Sequence, residues 1–371
     1  GVRLVFQHPA LDPVHSGNRD VWRLNRPEYF AYAPGGSGNK YAHCSTKIYL
    51  KPLSLKTKYY FCGNFLRPKT TIFCGVFRMR LEKINVLYCV LAVYCVCFIF
   101  RIYEYFVLRT DQSFWGEAFV HKLIGIGILG LVMQACSLGA RSIGFTREHI
   151  MRPILAGLGF GAVVFAIAYV AEIALLPPTE FRSLDVYVST YAVNSNTGHQ
   201  TALIFFVICL AGNVINVVME EGVFRGLFQK LLGFRYSFMG ATVISSVLFG
   251  LWHVIAPVRN YTDGTSSLGG AVMNALILML TSAVVGFKFA LMTRLTGSLY
   301  MAMANHCANN VIVNLVHVTS ISGEDTLMFV RISIAQGLSF LVVAVWYLVA
   351  SRRGSLPAAG IEGAPASHPQ P

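Results

Sequence analysis

Three short motifs place ionisable and amide side chains at helical spacing inside otherwise apolar stretches. They are Glu220-Glu221-Gly222-Val223-Phe224-Arg225, Phe249-Gly250-Leu251-Trp252-His253 and His306-Cys307-Ala308-Asn309-Asn310. A charged group at the centre of a bilayer costs roughly 2.5–3.5 kcal/mol on insertion scales, so residues of this kind suggest a functional site. A carboxylate beside imidazoles can accept a proton from water, and we therefore expect acid–base chemistry here.

The first motif divides its two carboxylates between two directions. Glu221 and Arg225 are four residues apart and share a helix face, which predicts an ion pair. Glu220 is rotated about 100° from Glu221 by the 3.6-residue turn. We expect Glu221 and Arg225 to be structural and Glu220 to be available as a general base.

The other two motifs repeat the four-residue spacing. Phe249 lies over His253, where its ring can orient the imidazole and exclude water. His306 and Asn310 share one face, and together they offer donors for a developing oxyanion. Cys307 points about 100° away from His306, which argues against a Cys–His nucleophilic pair.

Each motif alone has a structural reading, since one histidine in a span is more often a packing residue and acids at a helix end often form an interfacial cluster. Their occurrence together on separate spans favours the functional interpretation. Glu172 stands alone in a further apolar span, and we interpret it as structural.

The composition predicts helices that cross a membrane. Hydrophobic residues make up 55% of the 371 and charged residues 13%, with a mean hydropathy of +0.56. Apolar runs of about 17–24 residues match the hydrocarbon thickness, and a backbone in lipid must bond to itself. The fold class is therefore all-α, a polytopic bundle of about eight transmembrane helices. The expected spans are 84–100, 118–138, 154–176, 201–220, 239–257, 271–293, 297–317 and 328–350.

These bounds leave one conflict. Glu220 lies near the membrane face at which span five begins, whereas His253 lies about 21 Å deeper. A shared site requires span four to continue beyond Glu220 or span five to begin later.

The ends of the chain are expected to be separate from the bundle. Residues 1–78 hold twelve Lys and Arg against three acids, lack periodicity, and are expected to be a disordered basic extension without a function, since Met79 looks like a natural start. The bundle is assigned to 79–353, and 354–371 to a disordered tail. Lys and Arg in the short loops number eleven on one side and five on the other, which predicts cytoplasmic termini.

The three motifs resemble the pattern of the CPBP family, which includes CAAX prenyl endopeptidases and bacteriocin-processing enzymes. That family carries EExxxR, FxxxH and HxxxN on successive membrane helices, and all three are intact here, within a core of 210–317. The resemblance implies a bundle with a polar intramembrane cavity that opens towards the cytoplasm. It implies that Glu220 and His253 activate water and that His306 and Asn310 stabilise the oxyanion. Glu221 and Arg225 would hold the site together.

The resemblance predicts a membrane endopeptidase, with a prenylated protein or a leader-bearing peptide as its substrate. Its partners would be that substrate and the lipid bilayer, without nucleic acid, in the inner membrane if the source is bacterial. No cofactor is firmly implied, although the family has been called metalloprotease and Glu220, His253 and His306 could ligate Zn²⁺. The alternative is a catalytically silent scaffold or immunity protein of the same fold. A proton-coupled transporter is disfavoured because no internal repeat is evident.

Overall fold

The computed structural model describes residues 12–16, 19–23, 30–31, 47–48, 59–60, 85–148, 150–176, 181–189, 199–321 and 325–357. The chain divides into two units, Gly1–Ile72 and Phe73–Pro371. In the first unit, β1 (Asp12–Ser16), β2 (Arg19–Arg23) and β3 (Phe30–Ala31) form an antiparallel sheet, and β4 (Lys47–Ile48) pairs with β5 (Tyr59–Tyr60). The other residues of 1–78, and those of the tail after 357, lie outside the described residues. The disorder expected for both segments therefore stays a prediction.

The second unit is a bundle of helices. Its α-helices are α1 (Val86–Tyr103), α2 (Val120–Ala135), α3 (Met151–Leu175), α4 (Leu203–Glu220), α5 (Gln229–Leu232), α6 (Phe238–Trp252), α7 (Ile255–Thr262), α8 (Leu268–Thr296), α9 (Tyr300–Leu315) and α10 (Met328–Arg352). Each of the eight expected spans contains a helix. Among the described residues, six helical stretches are long and apolar enough to cross a membrane, and α2 is a shorter apolar helix. The chain is a multi-pass integral membrane protein.

Span four does not end at Glu220, and the predicted bound was wrong. The helix continues as a π-helical segment, Glu221–Phe228, and then as α5, so that 30 residues from Leu203 to Leu232 form one stretch. The charged motif looked like a helix end in the sequence, but its charges are buried and paired within the bundle. Glu220 therefore lies in the interior of the span, which removes the conflict of depth with His253.

Helices α3 and α9 pack closely because small residues line their contact. A Cβ atom added at Gly157 would lie 2.4 Å from the Met301 carbonyl oxygen, and one at Gly161 would lie 2.8 Å from the Ala308 Cβ. A larger side chain at either position would force the helices apart. This contact holds the third motif, on α9, in the middle of the bundle.

A short antiparallel strand pair closes one end of the bundle. β6 (Phe181–Val186) pairs with β7 (Val316–Ser320), which follows α9 directly. Span seven was expected to remain helical to residue 317, whereas α9 ends at Leu315 because the next residues bond to β6. At this end Arg331 donates to Glu172 at 2.6 Å, so Glu172 has a structural partner.

The membrane-spanning helices are apolar outside and bury charged side chains between them. Large side chains such as Val170 and Leu280 are exposed, as expected of a lipid-facing surface. Five basic residues that the sequence analysis counted in loops are instead buried within the helical spans: Arg101, Arg225, Lys230, Arg259 and Arg331. They carry no information on topology, and the orientation of the termini remains a prediction.

Candidate active site

Glu220 is the last residue of α4, and polar side chains from α1, α4 and α6 surround its carboxylate. Its Oε1 accepts a hydrogen bond from Trp252 Nε1 at 3.0 Å, and its Oε2 accepts one from Asn216 Nδ2 at 3.3 Å. Arg101 NH1 lies 3.9 Å from Oε1. Only 2% of Glu220 is exposed, so donors and a nearby cation provide the compensation that a buried carboxylate requires.

Glu221 points away from Glu220 and contacts a different set of side chains, as the rotation of about 100° between neighbouring helical residues predicted. Its Oε2 lies 3.2 Å from Arg225 Nε, one turn along the same segment, so the expected pair is present. Its Oε1 accepts a hydrogen bond from His306 Nδ1 at 2.8 Å. Arg225 Nε also donates to the Gly286 carbonyl at 3.3 Å and its guanidinium lies 3.8 Å from the centre of the Phe249 ring. These contacts tie the π-helical segment to α6, α8 and α9.

His306 lies between the two carboxylates. Nδ1 donates to Glu221, while Nε2 lies 3.7 Å from Glu220 Oε2. The imidazole stacks on Phe289, with ring centres 4.9 Å apart and planes 23° apart. When both nitrogens carry protons, Nδ1 remains bonded to Glu221 and Nε2–H is presented to the site.

His253 follows the last residue of α6, where the helix is interrupted before α7. Its backbone N–H bonds to the Gly250 carbonyl instead of the Phe249 carbonyl. The Phe249 carbonyl is thereby free to accept a hydrogen bond from His253 Nδ1 at 2.8 Å, which leaves the lone pair on Nε2. The Phe249 ring meets the imidazole edge-on with centres 4.8 Å apart, so both parts of Phe249 orient His253.

His253 follows Trp252, which bonds to Glu220, and the centre of the Phe249 ring lies 4.8 Å from that of His253 and 6.2 Å from that of His306. Asn310 lies one turn beyond His306 on α9, and its Oδ1 accepts a hydrogen bond from Asn309 Nδ2 at 2.9 Å. The structure thus brings Glu220, His253 and His306 together, with Asn310 on the same face of α9. Their catalytic roles remain proposals.

Several polar residues around Glu220 were missed by the sequence analysis. Arg101 is held by His121, whose Nε2 accepts from Arg101 NH1 at 3.1 Å and whose Nδ1 donates to Glu104 at 2.5 Å. Trp252 lies inside a motif, yet it was read only as a spacer. The signal that could have found Arg101 and Glu104 is their position at the end of an apolar run, where an ionisable group needs a partner.

The predicted zinc ligands each have one polar atom engaged elsewhere. His306 Nδ1 bonds to Glu221, His253 Nδ1 bonds to a carbonyl, and Glu220 accepts from Trp252. Among the described residues, no group of three or more His, Cys, Asp or Glu side chains is arranged to hold a metal ion. The zinc set remains a prediction.

Comparison with known proteins supports the resemblance. Residues 202–312 match the Rce1-like family model, described as type II CAAX prenyl endopeptidase Rce1-like. The matched segment contains all three motifs, from Glu220 to Asn310, and the suspected likeness to CAAX-type endopeptidases is confirmed for this part of the chain. No curated protein and no solved structure matches the chain.

Proposed function

We propose that this chain, whose residues 202–312 carry the features of the Rce1-like family, is an endopeptidase that hydrolyses a peptide bond within the membrane. The observation that supports it best is the position of His306. Its imidazole lies between two carboxylates, with Nδ1 2.8 Å from Glu221 Oε1 and Nε2 3.7 Å from Glu220 Oε2. In this arrangement Glu220 can act as the base and His306 as the hydrogen-bond donor, with the scissile carbonyl of the substrate between them.

In the proposed reaction, Glu220 accepts a proton from a water molecule that His253 Nε2 orients by accepting a second hydrogen bond. The hydroxide adds to the carbonyl carbon of the scissile bond, and the carbonyl oxygen becomes an oxyanion. His306 Nε2–H and Asn310 Nδ2–H stabilise this charge. The tetrahedral intermediate then collapses, the C–N bond breaks, and the proton taken up by Glu220 passes to the leaving amine. Water is thus divided between the two products.

The substrate that we propose is a membrane-associated protein or peptide. The matched family is described as a type II CAAX prenyl endopeptidase, and a prenyl chain would bring a substrate to the bilayer. A leader-bearing peptide is the second candidate that the resemblance offered. Glu220 and His253 lie within the membrane-spanning helices. Either substrate is compatible with this position, because each brings a peptide to the membrane.

The decisive variant is Glu220→Gln, which keeps the shape of the side chain and removes the base. Purified protein in detergent is incubated with a fluorogenic farnesylated peptide that ends in a CAAX sequence. Because general-base catalysis contributes about 10²- to 10⁴-fold, we expect cleavage to fall at least 100-fold with unchanged abundance and unfolding temperature. Glu148→Gln is the matched control, since the Glu148 side chain is 67% exposed in a surface ion pair.

The scaffold hypothesis predicts the opposite result. A silent scaffold cleaves neither the farnesylated peptide nor a leader-bearing peptide, and its cellular phenotype survives Glu220→Gln. Proteomic comparison of cells with the wild-type and Glu220→Gln proteins would then show no substrate that accumulates uncut. Failure to cleave both peptides, or the absence of any uncut substrate in Glu220→Gln cells, would refute the endopeptidase proposal.

A further inference from the structure

A chain of four polar side chains leads from a buried lysine to Asn310. Lys288 Nζ on α8 donates to Gln336 Oε1 on α10 at 2.7 Å. Gln336 Nε2 donates to Asn309 Oδ1 at 2.6 Å, and Asn309 Nδ2 donates to Asn310 Oδ1 at 2.9 Å. The chain joins three helices and ends at the residue expected to stabilise the oxyanion.

Lys288 determines the direction of every bond in this chain. An amide has an acceptor and a donor end of nearly the same shape, so a chain of amides alone could run in either direction. A lysine ammonium only donates, and Gln336 must therefore present its oxygen to Lys288 and its nitrogen to Asn309. Asn309 is fixed in turn, and it occupies the oxygen of Asn310. The remaining polar end of Asn310 is its Nδ2–H₂, which is the donor that an oxyanion needs.

The position of Lys288 is costly, and an ionisable residue buried in a membrane-spanning helix indicates a role beyond packing. It is 1% exposed and lies in a membrane-spanning helix. Ser339 Oγ accepts a second hydrogen bond from Nζ at 3.0 Å. Nζ also lies 4.6 Å from the centre of the Phe289 ring, which stacks with the His306 imidazole at 4.9 Å. The lysine thus contacts the surroundings of both proposed oxyanion donors.

We propose that Lys288 is a positioning residue that orients the Asn310 amide with its N–H groups towards the scissile carbonyl. The inference rests on the proposed function, because it assigns Lys288 a role in the same oxyanion site. Lys288 itself does not touch the substrate. Without the ammonium, Gln336 and Asn309 can flip, and Asn310 presents its oxygen to the oxyanion for part of the time.

The kinetic test is a double-mutant cycle with Lys288→Met and Asn310→Ala, measured on the farnesylated CAAX peptide. Loss of one oxyanion donor costs about 10²- to 10³-fold in kcat. We expect Asn310→Ala to fall in that range, and Lys288→Met to lower kcat about 10-fold or more with KM within twofold. In the Asn310→Ala background, Lys288→Met should change kcat by less than twofold, because the amide through which it acts is gone.

The matched control is Thr281→Val on the same helix, whose hydroxyl bonds to the carbonyls of Ile277 and Leu278. It should leave kcat unchanged. A wild-type kcat in Lys288→Met, or a full effect of Lys288→Met on top of Asn310→Ala, would overturn the proposal. A purely structural lysine would instead lower the unfolding temperature and leave the kcat of the folded fraction intact.

A second measurement tests the hydrogen-bonded chain without any activity. The unfolding temperatures of Lys288→Met, Asn309→Ala and the double variant are compared in detergent. Residues of one network give non-additive shifts, whereas additive shifts would refute the chain even if the peptide is cleaved. If the wild type and Glu220→Gln are equally inactive, the proposed function fails, and the positioning role of Lys288 fails with it. Non-additive shifts would then show that the chain itself is present.

Discussion

Trp252 donates its indole N–H to Glu220 Oε1 at 3.0 Å, across the contact between α6 and the end of α4. Trp252 is the residue immediately before His253, so the proposed base is fastened to the neighbour of the imidazole with which it is proposed to act. The indole is also fully buried among aromatic rings, and the Arg101 guanidinium lies 4.6 Å from its centre. Movement of α6 would therefore displace the carboxylate and the imidazole together.

The first prediction concerns this indole. Trp252→Phe keeps an aromatic ring in the cluster and removes the donor to Glu220. A hydrogen bond to a charged group contributes about 1.5–3 kcal/mol, so we expect kcat on the farnesylated peptide to fall about 10-fold or more, while KM changes little. Trp346→Phe is the control, because Trp346 is 42% exposed on α10. Equal rates for the two variants would contradict a role for the indole in holding Glu220.

The second prediction concerns Arg101, which lies 3.9 Å from Glu220 and is oriented by His121. Arg101→Met removes the cation beside the buried carboxylate, and its charge is then compensated by fewer groups. We expect kcat to fall at least 10-fold. His121→Phe should also lower kcat but by less, because the arginine remains and loses only its hydrogen bond to the imidazole.

The control for Arg101 is Arg141→Met, whose guanidinium belongs to an exposed ion pair with Glu148. Exposed pairs contribute about 0–1 kcal/mol, so this variant should retain both activity and unfolding temperature. Full activity in Arg101→Met, measured on the folded protein, would show that the arginine is structural.

The third prediction concerns the pH dependence of stability at the β6–β7 end. Asp325, which lies outside the spans, accepts hydrogen bonds from Arg331 and His317. Burial disfavours the charged carboxylate, but these hydrogen bonds outweigh it, and the pKa of Asp325 lies below its ordinary value. A lowered folded-state pKa stabilises the protein above the ordinary pKa, and this contribution is lost as the pH falls through the folded-state value.

Arg331→Met should therefore have two effects. It leaves the buried carboxylates of Glu172 and Asp325 without their shared cation, which costs about 3–5 kcal/mol at neutral pH. It also allows the pKa of Asp325 to rise, so that the loss of stability on acidification begins at a higher pH. Unfolding temperatures between pH 3 and 7 measure both. Arg109→Met, which breaks a partly exposed pair with Asp263, should shift the curve far less.

The fourth prediction concerns metal. If Glu220, His253, His306 and Asn310 do the chemistry with water, incubation with EDTA or 1,10-phenanthroline followed by desalting leaves the cleavage rate unchanged. A loss that added Zn²⁺ restores, with one equivalent of zinc retained by the wild type and none by His253→Ala, would favour the alternative set of ligands. Metal content by mass spectrometry provides a readout that does not depend on activity.

Helices and local pairs were predictable because they depend on short-range periodicity. Apolar runs identified the six stretches that are long enough to cross a membrane and the shorter helices α2 and α9. The four-residue spacing correctly paired Glu221 with Arg225 at 3.2 Å. The end of span four was not predictable, because the sequence shows charges at 220–225 without showing what neutralises them. His306 comes from a position 85 residues away, and that distant partner allows the helix to continue through the membrane.

The sequence by itself determined which segments are helical and which side chains share a helix face, since both follow from the 3.6-residue turn and from the cost of polar groups in lipid. Only the tertiary structure decided how those faces meet. The rotation and spacing of packed helices brought Arg101 to Glu220 and joined Lys288 to Asn310 through Gln336. These contacts depend on side-chain packing across the bundle, which no periodicity along one helix specifies.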